Sequence, residues 1–262
     1  MSKRIDEVDK YYKPIKKLDE LNNILFWASV VLSLAVFYEN RFTLMGWHEW
    51  SSVLFIVVVA VHLLLSLYLE FLLVPLADGK RRKQLLSNSF GIPLTSEKTQ
   101  EYYNNPLVPS IARLGANLLE NLLFTKSISS RMASKERTKV LLYFVIWVLA
   151  LSWRSTELGL AVIITQTLFS SEILALWVRI ELLRHQSEVL YNELYNSFLH
   201  KINLENPNGV ATSIDALLAY ETSKAMTRVR LSTSIFTELN PTLTVEWNKI
   251  RKLLGIDNEP RE

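Results

Sequence analysis

Cysteine is absent from this chain of 262 residues. That excludes disulfide frameworks, cysteine-based zinc sites and thiol nucleophiles together, and leaves the compartment open. The chain also lacks the short patterns of phosphate loops, dinucleotide folds and hydrolase centres: GxGxxG, the Walker loop, HExxH and GxSxG do not occur. Four histidines, His48, His62, His185 and His200, are scattered, so no metal cluster is indicated. No catalytic residue, metal or cofactor is expected, and the chain reads as something other than an enzyme. A cleavable signal sequence is not evident. The first apolar run starts near Ile24 behind a charged segment and has no small-residue cleavage site after it, so a retained N-terminus is expected. Ser2 stands where myristoylation needs glycine, and no C-terminal cysteine offers itself for prenylation.

Apolar residues are abundant instead. They make up 49% of the chain beside 21% charged residues, and the mean hydropathy is +0.15. Such a mixture requires the apolar residues to be clustered. Four runs hold them: Ile24 to Tyr38, Ser51 to Ala77, Val140 to Trp153, and Leu158 to about Trp177. A helix needs roughly 20 residues to cross the hydrocarbon core. The second and fourth runs reach that length alone, and the first and third reach it with their flanks. Short connections, Glu39 to Trp50 and Arg154 to Glu157, pair them into two helical hairpins. The fold class expected is all-α: an integral membrane protein with four spans. Its parts are a cytosolic segment (1–23), a first hairpin (24–77), a cytosolic helical linker (78–139), a second hairpin (140–178) and a cytosolic helical tail (179–262). Orientation follows from Lys and Arg, since cytoplasmic flanks carry the excess. Of the 29, only Arg41 and Arg154 fall in the two short connections, which places both termini in the cytoplasm. Trp47, Trp50 and Trp153 lie at the opposite ends of the spans, as an interfacial aromatic belt would have them.

The linker opens with Lys80, Arg81, Arg82 and Lys83, a basic run suited to anionic headgroups or to stopping transfer. Asn88 to Pro93 reads as a turn, Ser96 to Tyr103 as a short helix ended by Asn104-Asn105-Pro106, and Ile111 to Phe124 as an amphipathic helix. That helix has two places to go, the membrane surface or the tail. No Gly or Pro occurs from Leu160 to Asn206, so the fourth span is expected to continue as one long helix to Asn206-Pro207. A second tail helix is expected over about Ile214 to Arg230, and a third from Pro241, capped by Asn240, to Gly255. Leu231 to Leu239 is ambiguous, and no strand-like alternation stands out.

A few polar residues interrupt the spans. His62, Ser66 and Glu70 are spaced by four, hence share a helix face; Thr165, Glu172 and Arg179 are spaced by seven, with Gln166 beside them. An Asp, Lys or Arg at a membrane helix centre costs about 2.5–3.5 kcal/mol on insertion scales and normally turns inward. Two readings fit: these groups line a pore or subunit interface, or they hydrogen-bond between helices and fix packing. In the tail, Lys224, Arg228 and Arg230 form a basic cluster that could meet a nucleotide phosphate, or could be a solvated or headgroup-facing surface, with Glu221 partly offsetting them. Tyr102 and Tyr103 could stack on a base, or serve as interfacial or core aromatics.

Two hairpins flanking a basic helical linker, with a helical tail, resemble the four-transmembrane pore-forming effectors of bacterial nucleotide second-messenger defence systems, the SMODS-associated four-TM group. The strings that carry the resemblance are NSFG at Asn88–Gly91, YYNN at Tyr102–Asn105, NLLENLLFTK at Asn117–Lys126 and LSTSIFTELNPTLTVEW at Leu231–Trp247. The resemblance implies a bacterial inner-membrane protein that forms homo-oligomers, responds to a cyclic nucleotide or protein trigger, and permeabilises the membrane in anti-phage defence by abortive infection. Nucleic acid is not an expected partner. A non-conducting anchor that recruits a soluble partner through its cytosolic helices is the rival expectation.

Overall fold

A computed structural model describes residues 5–42, 48–97, 99–100, 102–103, 105–152, 158–168, 173–200 and 204–257. The described chain is helical apart from one two-residue antiparallel pair, β1 (Ile5–Asp6) with β2 (Thr99–Gln100). The helices are α1 (Asp9–Phe42), α2 (His48–Tyr68), a π-helical turn (Leu69–Leu73), α3 (Val74–Phe90), α4 (Ile111–Ser152), α5 (Leu158–Leu168), α6 (Leu174–Leu199), α7 (Pro207–Thr227) and α8 (Thr233–Leu253). They divide into two compact units: a body of Met1–Asp9, Asp78–Ser134 and Val178–Glu262, and an apolar unit of Lys10–Ala77 and Lys135–Trp177.

In the apolar unit α1 and α2 pair antiparallel. The Asn22 amide donates to the Ser66 hydroxyl at 3.0 Å, and that hydroxyl donates back to Asn22 Oδ1 at 3.2 Å. Four residues onward on α1 and four back on α2, the rings of Phe26 and His62 lie 6.0 Å apart. One polar link also joins α4 to α5, where Trp147 Nε1 donates to Thr165 Oγ1 at 2.7 Å. Trp27 stacks on Tyr143 at 6.2 Å, and Phe26, Val30, Val140, Tyr143, Trp147 and Ile173 form one apolar cluster. The Phe37 ring occupies the place a side chain would take at Gly159, so a Cβ there would collide with Phe37 Cε2. Small residues give membrane helices this close approach.

The second apolar run is less uniform than its sequence suggests. Its widened turn follows from Pro75, which brings no N–H and whose ring crowds the carbonyl four residues back. The Val74 N–H donates instead to Leu69 O, five residues back, opening a π-turn that carries Glu70.

Two stretches, Asp9–Tyr38 and Trp50–Phe90, are long and apolar enough to cross a membrane. Only 11% and 6% of their most apolar windows are buried, whereas the core helix of a soluble protein would be covered. The third apolar run forms the C-terminal part of α4, and the fourth is shared between α5 and the start of α6. Both short connections lie wholly or partly outside the described residues, as do Trp47 and Trp153; Trp50 is exposed.

The body is built on the first half of α4. Leu118, Leu119, Leu122 and Leu123 are fully buried against Leu190, Tyr191 and Leu194 of α6, Ala216 and Tyr220 of α7, and Trp247 of α8. The amphipathic helix that starts at Ile111 therefore packs on the tail, and it continues past Phe124 to Ser152. Several expectations need correction. The described residues of the expected helix from Ser96 to Tyr103 are not helical; Thr99–Gln100 pairs with the N-terminal strand, and Gln84 bonds to Thr99 from α3. The turn expected from Asn88 begins only at Gly91, whose φ of +67° ends α3. The long helix expected to run to Asn206 is described as α5 and α6, the latter ending at Leu199. Next, α7 starts at Pro207 behind the Asn206 cap and stops at Thr227. Finally, α8 begins behind the Ser232 cap, and Pro241 lies inside it. Pro241 removes one backbone hydrogen bond, at a cost of about 3 kcal/mol. Ile235, Leu243 and Trp247 are buried on both sides of it, and each such side chain contributes roughly 1.5–3 kcal/mol on burial. The apolar stripe therefore outweighs the proline.

Trp247 is wholly buried at the centre of the core, so Trp247→Ala is expected to destabilise the body by about 3–5 kcal/mol. Thermal unfolding of the purified protein would read this as a large fall in Tm; an unchanged Tm would contradict the packing described.

Candidate functional site

Chemistry concentrates on α3 directly after the second apolar run. Arg81 makes a bidentate pair with Asp6, at 3.0 and 2.9 Å, while its guanidinium lies 4.5 Å from the centre of the Tyr102 ring. Lys80 reaches both oxygens of the buried Glu97 carboxylate at 3.3 and 3.2 Å, and Thr95 bonds to the same group. Arg82 meets Glu221 at 3.7 Å with its own side chain half exposed. Lys83 is exposed. Through Lys80, Arg81 and Arg82 the basic run links α3 to the linker, the N-terminal strand and α7, while Arg82 and Lys83 remain exposed. Planar, bidentate pairing is what arginine provides and lysine does not.

The expected tail cluster is likewise rearranged. Lys224 lies in α7 with four-fifths of its side chain covered, 3.9 Å from Asp78 and 3.6 Å from Glu221. Burial pulls its pKa down, but Tyr220, Asp78 and Glu221 outweigh burial and hold the ammonium above the usual lysine range. Arg228 is the left-handed cap that ends α7, at φ 51°, and Arg230 follows beyond the helix. The three cations are therefore not one helix face. Alternating charges on Asp78, Lys224, Glu221 and Arg82 form a neutralised chain, which leaves little net attraction for a phosphate.

Beside these charges lies a buried amide network. Asn117, fully buried on α4, accepts from the Asn105 amide at 2.6 Å and donates to Asn88 Oδ1 at 2.9 Å and Ser89 Oγ at 3.0 Å. Tyr103 accepts from the Asn121 amide at 3.4 Å, and the Thr125 and Tyr220 hydroxyls bond at 3.0 Å. The NSFG, YYNN and NLLENLLFTK strings meet here, in a buried polar network that joins α3, the linker and α4. Tyr102 and Tyr103 pack with Leu85 and Leu114, so they serve as core aromatics. Sequence reasoning missed Asp6, Asp78, Glu97 and Asn117; a buried carboxylate or amide carries no local pattern.

The span polar groups fall into separate places. Ser66 bonds to Asn22, and Thr165 accepts from Trp147 while donating to Ala161 O at 2.7 Å. His62 lies against Phe26, and Glu70 is on the π-turn, partly covered. Arg179 belongs to α6 in the body and Thr165 to α5 in the apolar unit, so the expected seven-residue stripe is not one described helix. The Gln166 side chain and Glu172 lie outside the described residues. Among the described residues no group of three or more His, Asp or Glu side chains is placed to hold a metal ion. No protein family, curated protein or solved structure matches this chain.

Burial raises the Tyr103 and Tyr220 hydroxyls above the usual tyrosine range. Tyr191, under the Lys126 ammonium at 3.3 Å, is pushed up to about 12, by burial first and then by Tyr195 and Glu246. A raised folded-state pKa gives stability that is complete below the unfolded value, 10.0 for tyrosine, and is lost as pH rises through the folded value. Lys224 acts in the same direction from 10.5. The body is therefore expected to hold its helicity to about pH 10 and to unfold above it, with tyrosinate absorbance rising in the same transition. Early tyrosinate formation with helicity intact would contradict the buried placement.

Proposed function

We propose that this chain is a bacterial inner-membrane effector with four spans and cytoplasmic termini, whose helical body senses a cytosolic signal and forms or gates a pore. The observation that carries the reading is the composition of the body. It is assembled from the segment before the first apolar run, the segment between the second and third, and the segment after the fourth. A plain tether needs one span, whereas this chain returns to the same body after each hairpin. The placing of 27 of its 29 Lys and Arg outside the short connections supports a cytoplasmic body. A ligand or partner that binds one arrangement of the body better than another acts on the ends of every span. Four spans are few for a pore, so several copies around an axis are required.

The anchor reading also has a specific observation in its favour. Ser66 and Thr165 find their hydrogen-bond partners inside the apolar unit, as packing residues do. The pore reading then falls on His62, Glu70 and Glu172. Bacteria expressing the chain, with and without its neighbouring genes and phage, are expected to depolarise and admit dye. Glu70→Leu and Glu172→Leu at matched membrane abundance are expected to abolish both effects. Intact membrane potential in every wild-type condition would contradict the pore and leave the anchor.

A further inference from the structure

The helix α7 is packed with its less apolar face inward. The buried residues are Gly209, Ser213, Ala216, Tyr220, Ser223 and Thr227, which successive turns place on one side. On the opposite side stand Ala211, Ile214, Leu218, Thr222, Ala225 and Met226, all exposed. Ile214 is 42%, Leu218 61% and Met226 67% exposed. A surface helix ordinarily turns its large apolar residues to the core and its polar ones to water. Here the small and hydroxyl residues are inside, and the core they face is complete, since Tyr220 and Ala216 already fill it beside Leu119 and Leu123. The outer stripe lies in the body, away from the apolar runs in sequence, so its apolar character is not explained by a transmembrane role.

We propose that this face is a docking surface for α7 of a second copy, paired antiparallel about a two-fold axis near residue 220. Two features select that occupant. Charge is the first: the exposed Asp215 lies within the stripe near its start, and Arg228 closes its end. Antiparallel pairing brings Asp215 of each copy within about a helical turn of Arg228 of the other, places Ile214 opposite Met226, and sets Leu218 against Thr222. A parallel pairing would stack like charges. The second feature is what the face lacks. A helix lying on anionic lipid flanks its apolar stripe with Lys and Arg and anchors it with aromatics. The only lysine of α7, Lys224, is turned to Asp78 and Glu221, and the outer face holds no aromatic residue. Confinement to a common membrane raises the effective concentration of the copies, so a stripe of this size suffices. The pairing does not depend on whether the spans conduct.

The absence of native cysteine makes the test direct. Full-length chains carrying one of Ala211→Cys, Leu218→Cys or Thr222→Cys would be oxidised in native membranes and their disulfide dimers measured. All three sites are exposed, so folding should survive each change. Two-fold antiparallel pairing predicts dimers at Leu218→Cys and Thr222→Cys and none at Ala211→Cys, whose two copies would stand roughly 27 Å apart along the paired helices. Arg228→Asp, which suits the left-handed backbone there, should weaken the Leu218→Cys dimer, and adding Asp215→Arg should restore it. Equal dimers at all three positions would mean parallel pairing and overturn the proposal. Absence of dimers at Leu218→Cys and Thr222→Cys would overturn it too. In that event, bilayer-dependent burial of a dye at Leu218→Cys would assign the stripe to lipid. Dye entry and membrane potential are separate readouts, so failure here leaves the proposed function standing or falling independently.

Discussion

Ile56, Leu64, Phe71 and Leu72 stand more than half exposed along the second apolar run, as do Leu141, Leu142 and Leu149 on the later part of α4. Each such side chain left in water forgoes about 1.5–3 kcal/mol of burial. Intramolecular packing does not supply the cover, because the apolar unit already has its internal contacts through Phe26, Val30, Tyr143 and Trp147. A hydrocarbon environment would remove the penalty, and helices suit such an environment. Backbone groups that lack water must be satisfied within each segment, and helices do that. The π-turn at Leu69–Leu73 is a tolerated departure, since its carbonyl at Leu69 still finds the Val74 N–H.

The body is different. Its core has Leu and Trp at the centre, with charges at the edge. What distinguishes it is that the charges join segments far apart in sequence. Asp6 and Arg81 are 75 residues apart, and Arg82 and Lys224 share Glu221 on α7. Partly covered pairs of this kind contribute modest stability, but breaking one partner leaves the other uncompensated. Such contacts favour a single arrangement of strand, linker and tail. Any change in this arrangement therefore has to replace specific partners.

Much of the architecture could be read from residue patterns. The all-helical class, the start of α4 at Ile111 and the boundary at Asn206-Pro207 follow from periodicity and capping chemistry. The errors have physical causes. Ser96 to Tyr103 has helical spacing, but tertiary pairing with Ile5–Asp6 prevails over local preference. Pro241 looks like a helix start, yet a buried stripe running from Ile235 to Trp247 carries the helix through it. The basic run at Lys80 to Lys83 has the composition of a membrane flank, and its carboxylate partners lie too far along the chain to be inferred. For Ser66 and Thr165 spacing gives the face of a helix and not what that face meets.

In the proposed topology the four apolar runs cross the membrane in turn and the body lies on the cytoplasmic side. Single cysteines at Met45, Ser96, Ser155 and Thr242, labelled with a membrane-impermeant maleimide, test it most directly. Labelling of Met45→Cys and Ser155→Cys is expected from the outer face of the inner membrane, and of Ser96→Cys and Thr242→Cys only in inverted vesicles. Labelling of Ser96→Cys from the outer face, or of all four positions from the same face, would contradict it.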